Sequence, residues 1–415
     1  MKIGFVGLGK LGLPVGLAVE SKGHEVRGYD PSPLVAEALR TRKTISQEAG
    51  ADALLAKSHI QLTPAVEVLV EWSDLIFVAV QTPHEPEFGG ETRVPAQRRD
   101  FDYRHLVAAC SDLAAAIRAS GVRPDVAVIS TCLPGTMRRE ILPLFPYPIV
   151  YNPSFIAMGT TIQDFLESEM VLMGSDDPSA LDRLVAFFGT VTPAPAYRTS
   201  VENAELAKVA YNTFIGLKLA FANTIMELCH ALPGCDADGV LGALKLATRR
   251  VISTQYLSPG MGDGGACHPR DNIAMSHLAR RVRLSYNLFD AVVESREQQT
   301  DWLAGLAADA HGRTGLPVVV LGEAYKPNSP LTFGSPAVLL ANLLRERGVP
   351  TSSCDPVVRP GEPIPPGPAV FALATTHECF EGALFAPGSV VIDPWRRVRP
   401  QAGVTVVPVG RSPRP

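Results

Sequence analysis

One cysteine follows a glycine-rich segment, in a setting that could support nucleophilic chemistry. Four glycines occur within residues 260–265, Cys267 comes two residues later, and Arg270 and Asp271 follow it closely. Glycines let a backbone approach a ligand closely, and a nearby basic residue favours the reactive thiolate. Free cysteines are more often buried packing residues. The glycine setting and the polar neighbours therefore make Cys267 a candidate nucleophile.

A lysine and an asparagine stand four residues apart in a predicted helix. At this spacing Lys208 and Asn212 share one helix face. A lysine in a cleft can transfer a proton, and an amide can stabilise a developing oxyanion. The alternative is a solvated lysine beside a surface asparagine, and this motif alone does not decide between the two.

A glycine loop near the start of the chain predicts a dinucleotide site. It reads Gly-Leu-Gly-Lys-Leu-Gly between a predicted strand over 2–6 and a predicted helix over 12–22. Such glycines allow a tight turn, close approach of a pyrophosphate and helix packing, and the helix N-terminus attracts the anion. Asp30 ends the next predicted strand, where a carboxylate binds ribose hydroxyls and repels a 2′-phosphate. The sequence therefore predicts NAD rather than NADP, bound by Gly7, Leu8, Gly9, Lys10, Leu11, Gly12 and Asp30.

Alternating strand and helix patterns predict a doubly wound α/β fold that positions these residues. Uninterrupted apolar runs at 75–80 and 125–130 are typical of buried parallel strands. Residues 204–232 contain no proline and one glycine, which predicts a long helix between two α/β regions. The second region begins near residue 316. A polar stretch at 84–100 predicts a functional or disordered loop.

Composition excludes several classes of protein. The 415 residues allow two to three domains, and 46% hydrophobic against 19% charged residues argues against disorder. A net charge of −4 argues against nucleic-acid binding, and no long apolar run predicts a membrane span or a secretory signal. The seven cysteines include no Cys-x-x-Cys pair. We therefore expect no metal site, and a reducing cytoplasm as the location.

Taken together, these motifs resemble the nucleotide-sugar dehydrogenase family, which includes UDP-glucose and GDP-mannose dehydrogenases. The chain is similar to the family's E-L-x-K-x-x-x-N helix at 205–212 and to its G-F-G-G-x-C-x-P-K-D loop at 262–271. It also resembles the S-T-x-P-P-G-T turn at 130–136 and the G-x-A-F-K-P segment at 322–327. The resemblance runs almost end to end, from the glycine loop to Asp393-Pro394-Trp395-Arg396.

The resemblance implies two doubly wound Rossmann-like domains joined by a long central helix that forms a homodimer. It predicts an NAD-binding domain over 1–198, a central helical region for dimerisation and catalysis over 199–300, and a C-terminal nucleotide-sugar-binding domain over 301–415. The implied reaction oxidises the C6 alcohol of a nucleotide sugar, with a UDP-sugar favoured, to the uronic acid. A cysteine thiohemiacetal and thioester are its intermediates, and polysaccharide biosynthesis is the expected role.

Residue roles carry over from the family by position. Cys267 is the expected nucleophile, Lys208 and Asp271 handle protons and water, and Asn212 stabilises the oxyanion. Thr131 is expected near the nicotinamide and water, Thr82 near the cofactor, and Arg270 against NAD. The residues expected to contact the substrate are Ser154, Phe155, Lys208, Asn212, Arg250, Tyr256, Gly264 and Lys326.

The chain departs from the family pattern at several positions. The family segment N-P-E-F-x-x-E carries two glutamates, and here Ser154 and Met158 replace them. Phe333 stands where an arginine linked to NAD is expected. A single two-electron oxidation of the hydroxyacid-dehydrogenase type therefore stays open, as does an NAD-binding protein without turnover. The joint presence of Cys267, Lys208, Asn212 and Asp271 favours the nucleotide-sugar reaction.

Overall fold

The computed structural model describes residues 1–44, 48–83, 99–157, 159–253, 259–261, 267–327 and 329–411. The chain divides into two compact units, Met1–Gly216 and Leu217–Pro415. The three domain boundaries proposed from the sequence stay predictions. No helix within the described ranges is long and apolar enough to cross a membrane.

The described part of the first unit contains an eight-stranded sheet. Its strands are β1 (Lys2–Val6), β2 (Glu25–Tyr29), β3 (Gln61–Leu62), β4 (Leu75–Val78), β5 (Asp125–Val128), β6 (Val150–Tyr151), β7 (Val171–Gly174) and β8 (Ala196–Thr199). The spatial order is β3-β2-β1-β4-β5-β6-β7-β8. Neighbouring strands are parallel except for the antiparallel pair β6 and β7.

Helices cover both faces of this sheet. They are α1 (Gly12–Ser21), α2 (Pro33–Thr41), α3 (Ala51–Leu55), α4 (Val66–Trp72), α5 (Arg104–Ser120), α6 (Thr161–Leu166) and α7 (Pro178–Phe188). A π-helical turn at Met137–Ile141 and a 3₁₀ turn at Leu142–Leu144 follow β5. Successive strand residues point to opposite faces, so Phe77 joins one apolar cluster while Ile76 and Val78 join the other. Burial on both faces explains the uninterrupted apolar runs in β4 and β5.

A long helix, α8 (Val201–Ala231), follows β8, and the division between the two units falls inside it. The later helices are α9 (Ala237–Lys245), α10 (Cys267–Arg281), α11 (Leu288–Thr314), α12 (Pro336–Glu346) and α13 (Glu378–Glu381). The second sheet contains β9 (Val318–Leu321), β10 (Thr351–Cys354), β11 (Val370–Leu373), β12 (Val390–Asp393) and β13 (Thr405–Pro408). Its order is β10-β9-β11-β12-β13, with every pair parallel.

The predicted fold class is confirmed. Both sheets are wound outward from a central strand, β1 in the first unit and β9 in the second, which is the doubly wound pattern. The helix predicted over 204–232 is observed as α8, which begins three residues earlier and ends one residue earlier than predicted. The loop predicted at 84–100 lies mostly outside the described residues.

Candidate functional site

The glycine loop connects β1 to α1 in a conformation that depends on its glycines. Gly7 has a φ of +96°, and a β-carbon there would lie 2.7 Å from the carbonyl oxygen of Ala79. A β-carbon on Gly12 would overlap the carbonyl oxygen of Gly7, whereas one on Gly9 would meet no described atom within 4 Å. The tight turn therefore leaves no room for a side chain at Gly7 or Gly12, whereas Gly9 has open space beside its backbone.

Asp30 follows β2 and braces the glycine loop. Its Oδ2 accepts a hydrogen bond of 2.8 Å from the backbone N–H of Leu8, and its Oδ1 accepts one of 2.8 Å from Ser32. Leu8 is fully buried: its side chain lies in the apolar core and its N–H is used by Asp30, so this residue shapes the loop from inside. Lys10 is exposed, and Leu11 packs partly against the core.

These residues fit a bound dinucleotide. Within the described chain, no side chain caps the N-terminus of α1 and no acidic residue occupies its first turn. Leu13 and Val15 already donate to the carbonyl oxygens of Gly9 and Leu11, and Pro14 has no N–H. A pyrophosphate in the space beside Gly9 would therefore be received by the backbone N–H groups just before them, at residues 10–12. Asp30 lies at the end of the neighbouring strand, where the adenosine ribose would bind.

Thr82 and Thr131 continue the same edge of the sheet, beyond the carboxyl ends of β4 and β5. Thr82 Oγ1 donates a hydrogen bond of 2.9 Å to the carbonyl oxygen of Thr131. One residue earlier, Ser130 Oγ donates a bond of 2.5 Å to the carbonyl oxygen of Val80. Because β2, β1, β4 and β5 are parallel, all these strand ends meet at one edge with the glycine loop.

A buried glutamate, Glu205, fixes the turn after Thr131. No role for it was predicted from the sequence. Both carboxylate oxygens of Glu205 accept backbone hydrogen bonds of 2.7 Å, from Gly135 and Met137. The side chain is fully buried, and this burial raises the pKa of Glu205. Its place three residues before Lys208, in the motif at 205–212, was the signal that could have identified it.

Lys208 is buried, with only 8% of its surface exposed. Its Nζ donates a hydrogen bond of 2.6 Å to the carbonyl oxygen of Ser154 and lies 5.1 Å from the centre of the Phe155 ring. Desolvation by burial lowers the pKa of Lys208. The alternative of a solvated lysine is therefore wrong for Lys208, although Asn212, one turn later, is exposed.

The loop that carries Ser154 and Phe155 is itself held by a buried amide. Asn152 follows β6, its side-chain Nδ2 donates to the carbonyl oxygen of Leu172 at 2.8 Å, and its backbone N–H donates to Val128 at 2.8 Å. The Phe155 ring packs against Tyr211 of α8, with ring centres 4.6 Å apart and ring planes tilted by 58°. The structure thus brings Lys208, Ser154 and Phe155 together. A lysine in this setting can bind or release a proton nearer neutral pH than a solvated lysine.

Lys326 lies at the carboxyl edge of the second sheet. It is exposed, with Nζ 5.6 Å from the centre of the Tyr325 ring. The preceding loop begins at Gly322, where φ is +94° and a β-carbon would overlap Thr375. Asp355 Oδ2 accepts hydrogen bonds from the backbone of this loop, at Glu323 (2.6 Å) and Ala324 (3.0 Å).

Several residues that the sequence singled out lie wholly or with their side chains outside the described part of the structure. Tyr256, Gly264 and Met158 lie outside the described residues. Cys267, Arg270 and Asp271 begin α10, but their side chains also lie outside the described part. Arg250 is an exposed residue in the turn after α9. The roles of all these residues stay predictions.

Comparison with protein families gives two matches. Residues 1–192 match the UDP-glucose/GDP-mannose dehydrogenase family, NAD binding domain, and residues 202–298 match the central domain of the same family. The predicted resemblance and the prediction of NAD as cofactor are thereby confirmed.

Characterised relatives and solved structures agree with these matches. GDP-mannose 6-dehydrogenase of Pseudomonas aeruginosa is 27% identical over 362 residues, which are 84% of this chain and 79% of the relative. UDP-glucose 6-dehydrogenase TuaD of Bacillus subtilis is 25% identical over 371 residues, 86% and 77% of the two chains. A ternary complex of GDP-mannose dehydrogenase from Pseudomonas aeruginosa has the same fold, with a TM-score of 0.86 at 24% identity over 98% of this chain and 99% of that one. A UDP-glucose dehydrogenase from Pyrobaculum islandicum has a TM-score of 0.54 at 27% identity over 98% and 96%.

Proposed function

Because the chain belongs to the UDP-glucose/GDP-mannose dehydrogenase family, we propose that it oxidises the C6 alcohol of a nucleotide sugar to the uronic acid. The observation that carries this proposal is the buried Lys208, whose Nζ is held against the Ser154 carbonyl oxygen at 2.6 Å. Burying an ammonium group costs free energy, so a lysine with no chemical role would be expected to remain in solvent. A group that must exchange protons during oxidation of an alcohol benefits from the lowered pKa.

The cofactor site of the proposal is the edge formed by the glycine loop, Asp30, Thr82 and Thr131. When bound, NAD accepts a hydride in each of the two oxidations. The backbone around Gly9 holds the pyrophosphate, and Asp30 accepts hydrogen bonds from the ribose. Thr131 lies after β5 at the same edge, held by its hydrogen bond from Thr82, and is assigned a place near the reacting end of the cofactor.

Cys267 is the nucleophile of the proposal. After the first oxidation its sulfur bonds to the aldehyde carbon, and the thiol proton passes to the aldehyde oxygen to give a thiohemiacetal. Loss of a second hydride from that carbon and a proton from its oxygen gives a thioester. Water then adds to the carbonyl carbon, the carbon–sulfur bond breaks, and the acid leaves with the thiol restored. Lys208 and Asp271 transfer the protons, and Asn212 donates to the oxyanion.

A reaction that stops at the aldehyde is the second candidate. This candidate is suggested by the replacement of two family glutamates by Ser154 and Met158. Neither of these side chains can serve as a carboxylate base. The contact between Lys208 and Ser154 uses the backbone carbonyl, so this contact does not need a carboxylate side chain. The bond that holds Lys208 is thus present without the family glutamate, and in this proposal hydrolysis depends on Lys208, Asp271 and Thr131.

The nucleotide of the substrate is assigned to the second unit. The proposal places it near Lys326, at the carboxyl edge of the second sheet, with a UDP-sugar favoured. Relatives with names that specify GDP-mannose and UDP-glucose have similar identities, 27% and 25%. The identity of the base therefore has to be measured.

The decisive experiment counts NADH formed per sugar consumed, with a panel of UDP-, GDP- and dTDP-sugars. We expect two NADH and one uronic acid per sugar for the preferred substrate. Cys267→Ala should abolish acid formation, and Cys235→Ala is the matched control because Cys235 is an exposed cysteine outside the proposed site. One NADH with free aldehyde would establish the second candidate. Absence of turnover with every sugar would contradict both.

A further inference from the structure

The loop over residues 153–157, whose Ser154 carbonyl oxygen binds Lys208, borders an open cavity. This cavity has an empty volume of about 280 Å³ and is lined by the loop together with Asp164 and Phe165 of α6. The middle of the loop is half-buried, so it packs against the protein over part of its surface only. Where packing is incomplete, a segment opens more easily and its position depends on its hydrogen bonds.

Asp164 holds the end of this loop. Its Oδ2 accepts a hydrogen bond of 2.8 Å from the backbone N–H of Ala157 and another of 2.8 Å from Thr160 Oγ1. The backbone N–H of Thr160 in turn donates to the carbonyl oxygen of Ala157 at 3.2 Å. Hydrogen bonds to an ionised carboxylate are stronger than those between neutral groups. Both backbone polar groups of Ala157 are therefore fixed against the start of α6.

A second carboxylate fixes the start of α6, the helix that carries Asp164. The buried Glu48 accepts hydrogen bonds at Oε2 from the backbone N–H groups of Gly159 (2.9 Å) and Thr161 (3.1 Å). The backbone N–H of Ala49 donates to the carbonyl oxygen of Gly159 at 3.0 Å. Gly159 has a φ of +99°, a conformation that favours glycine. The start of α6 is thus a firm support for Asp164.

The path from Asp164 to Lys208 is short and continuous. Ala157 lies three residues after Ser154, and the Ser154 carbonyl oxygen accepts the hydrogen bond of 2.6 Å from Lys208 Nζ. Before the loop, Asn152 is fixed by its two hydrogen bonds of 2.8 Å. Burial, rather than a nearby charge, lowers the pKa of Lys208. Asp164 therefore acts on this lysine through the position of the loop and not through its own charge.

We propose that Asp164 is a positioning residue for Lys208, because it holds the loop whose Ser154 carbonyl oxygen and Phe155 ring contact the Lys208 ammonium group. The inference rests on the proton-transfer role proposed for Lys208. Without the Asp164 carboxylate, the end of the loop is released from α6 and the carbonyl oxygen moves away from Nζ. Misplacement of a reacting group by about 1 Å can cost about 10²-fold in rate. Loss of Asp164 should therefore slow the oxidation of the alcohol.

The test compares Asp164→Ala with Asp177→Ala in the full chain. Asp177 is the matched control, because it lies in the same unit and its Oδ1 also accepts hydrogen bonds from one backbone N–H and one hydroxyl. One readout is the rate at which acetic anhydride acetylates Lys208 at about pH 10, near the pKa of a solvated lysine. Peptide mass spectrometry measures this rate relative to that of the exposed Lys22. The other readout is the rate of hydride transfer with saturating NAD and sugar. The buried Cys110 reports whether the unit stays folded.

In Asp164→Ala we expect Lys208 to be acetylated at least about tenfold faster than in the wild type, since a hydrogen bond to a charged group is worth that factor or more. Hydride transfer should slow by about 10²-fold, with the binding constant of NAD unchanged and Cys110 still protected from thiol reagents. Asp164→Asn should restore both rates, because its amide oxygen can accept the same two hydrogen bonds. Asp164→Ala behaviour indistinguishable from Asp177→Ala would overturn the proposal.

Two further outcomes are separable. If Asp164→Ala also exposes Cys110, Asp164→Ser decides, because it keeps a polar side chain in α6 whose hydroxyl is one bond too short to reach Ala157. Unchanged acetylation and hydride transfer in Asp164→Ser would then refute the positioning role. If Lys208→Met keeps full turnover, the proton-transfer role of Lys208 is wrong. The acetylation rates then still show whether Asp164 holds the loop against this lysine.

Discussion

At the scale of single residues, Lys208 combines burial with a partner that carries no charge. Its Nζ contacts a backbone carbonyl and the face of an aromatic ring, and the described neighbours supply no carboxylate at hydrogen-bonding distance. We expect Lys208→Met to lower turnover by about 10²–10⁴-fold, the usual worth of general acid–base catalysis. The binding constant of NAD, measured by calorimetry, should stay unchanged. Lys218→Met on the same helix is the control, and an equal loss there would show that helix damage caused both.

The same burial predicts a pH dependence of stability. Burial lowers the pKa of Lys208 in the folded state below that of a solvated lysine. At pH values between the folded-state and unfolded-state pKa, the unfolded chain therefore holds a proton that the folded chain has released. The free energy of unfolding therefore rises with pH across this window, by at most about 1.4 kcal/mol per pH unit. Denaturant unfolding of the wild type and Lys208→Met from pH 7 to 10 should show the wild type gaining relative to the variant. A constant difference would refute the lowered pKa.

Asp30 is expected to set the preference between the two dinucleotides. Its negative charge disfavours a 2′-phosphate, while its two oxygens also hold the backbone at Leu8 and Ser32. Asp30→Asn removes the charge and also sets its amide N–H against one of these two backbone N–H groups, which weakens the loop for both dinucleotides alike. The lost charge should bring the affinities for NAD and NADP closer by about tenfold, since a single charge contact is worth roughly 1.4 kcal/mol or more. Asp74→Asn is the control, because Asp74 is an exposed aspartate that also accepts a backbone hydrogen bond, from Lys2 at the start of β1. Tighter binding of NADP than NAD by the wild type would contradict the assignment.

At the scale of elements, Glu205 connects α8 to the turn after β5. Glu205→Gln leaves an amide N–H facing a backbone N–H, so one buried donor loses its acceptor, which costs about 1–3 kcal/mol. The neighbouring Glu202→Gln loses an ion pair to Arg138, and both partners of this pair are more than a third exposed. That loss is worth about 0–1 kcal/mol. Chemical denaturation of both variants measures the difference, and equal destabilisation would show that the turn does not depend on Glu205.

The elements themselves could be predicted from the sequence where one physical signal dominates. Apolar runs such as that of β4 are uninterrupted because both faces are buried, and the glycine loop follows from backbone sterics at Gly7 and Gly12. Long-range contacts had no such local signal. The hydrogen bond between Lys208 and Ser154 joins residues 54 positions apart, and that between Arg396 and Pro259 joins residues 137 positions apart. A pattern of nearby residues cannot specify either.

At the scale of the whole molecule, the two units repeat one arrangement. Gly7 after β1 and Gly322 after β9 both have positive φ, of +96° and +94°. Asp30 after β2 and Asp355 after β10 each accept hydrogen bonds from the loop beside them. The second carboxylate also accepts from Val357 and Val358. Burial acts to raise the pKa of Asp355, but its four backbone N–H donors together lower it. Each unit thus holds a rigid loop at the carboxyl edge of its sheet.

The expected homodimer gives a prediction for the whole molecule. In α8, Leu217 (52% exposed) and Phe221 (38% exposed) lie one turn apart on the same face, whereas Met226 (55% exposed) lies on the opposite face. Burying such side chains is worth about 1.5–3 kcal/mol each. The double variant Leu217→Glu and Phe221→Glu should therefore raise the dimer dissociation constant by at least about 100-fold. Sedimentation equilibrium at matched concentrations should give a monomer for this variant and a dimer for the wild type and Met226→Glu. A wild-type monomer, or a double variant that stays dimeric, would show that this face of α8 does not join two copies.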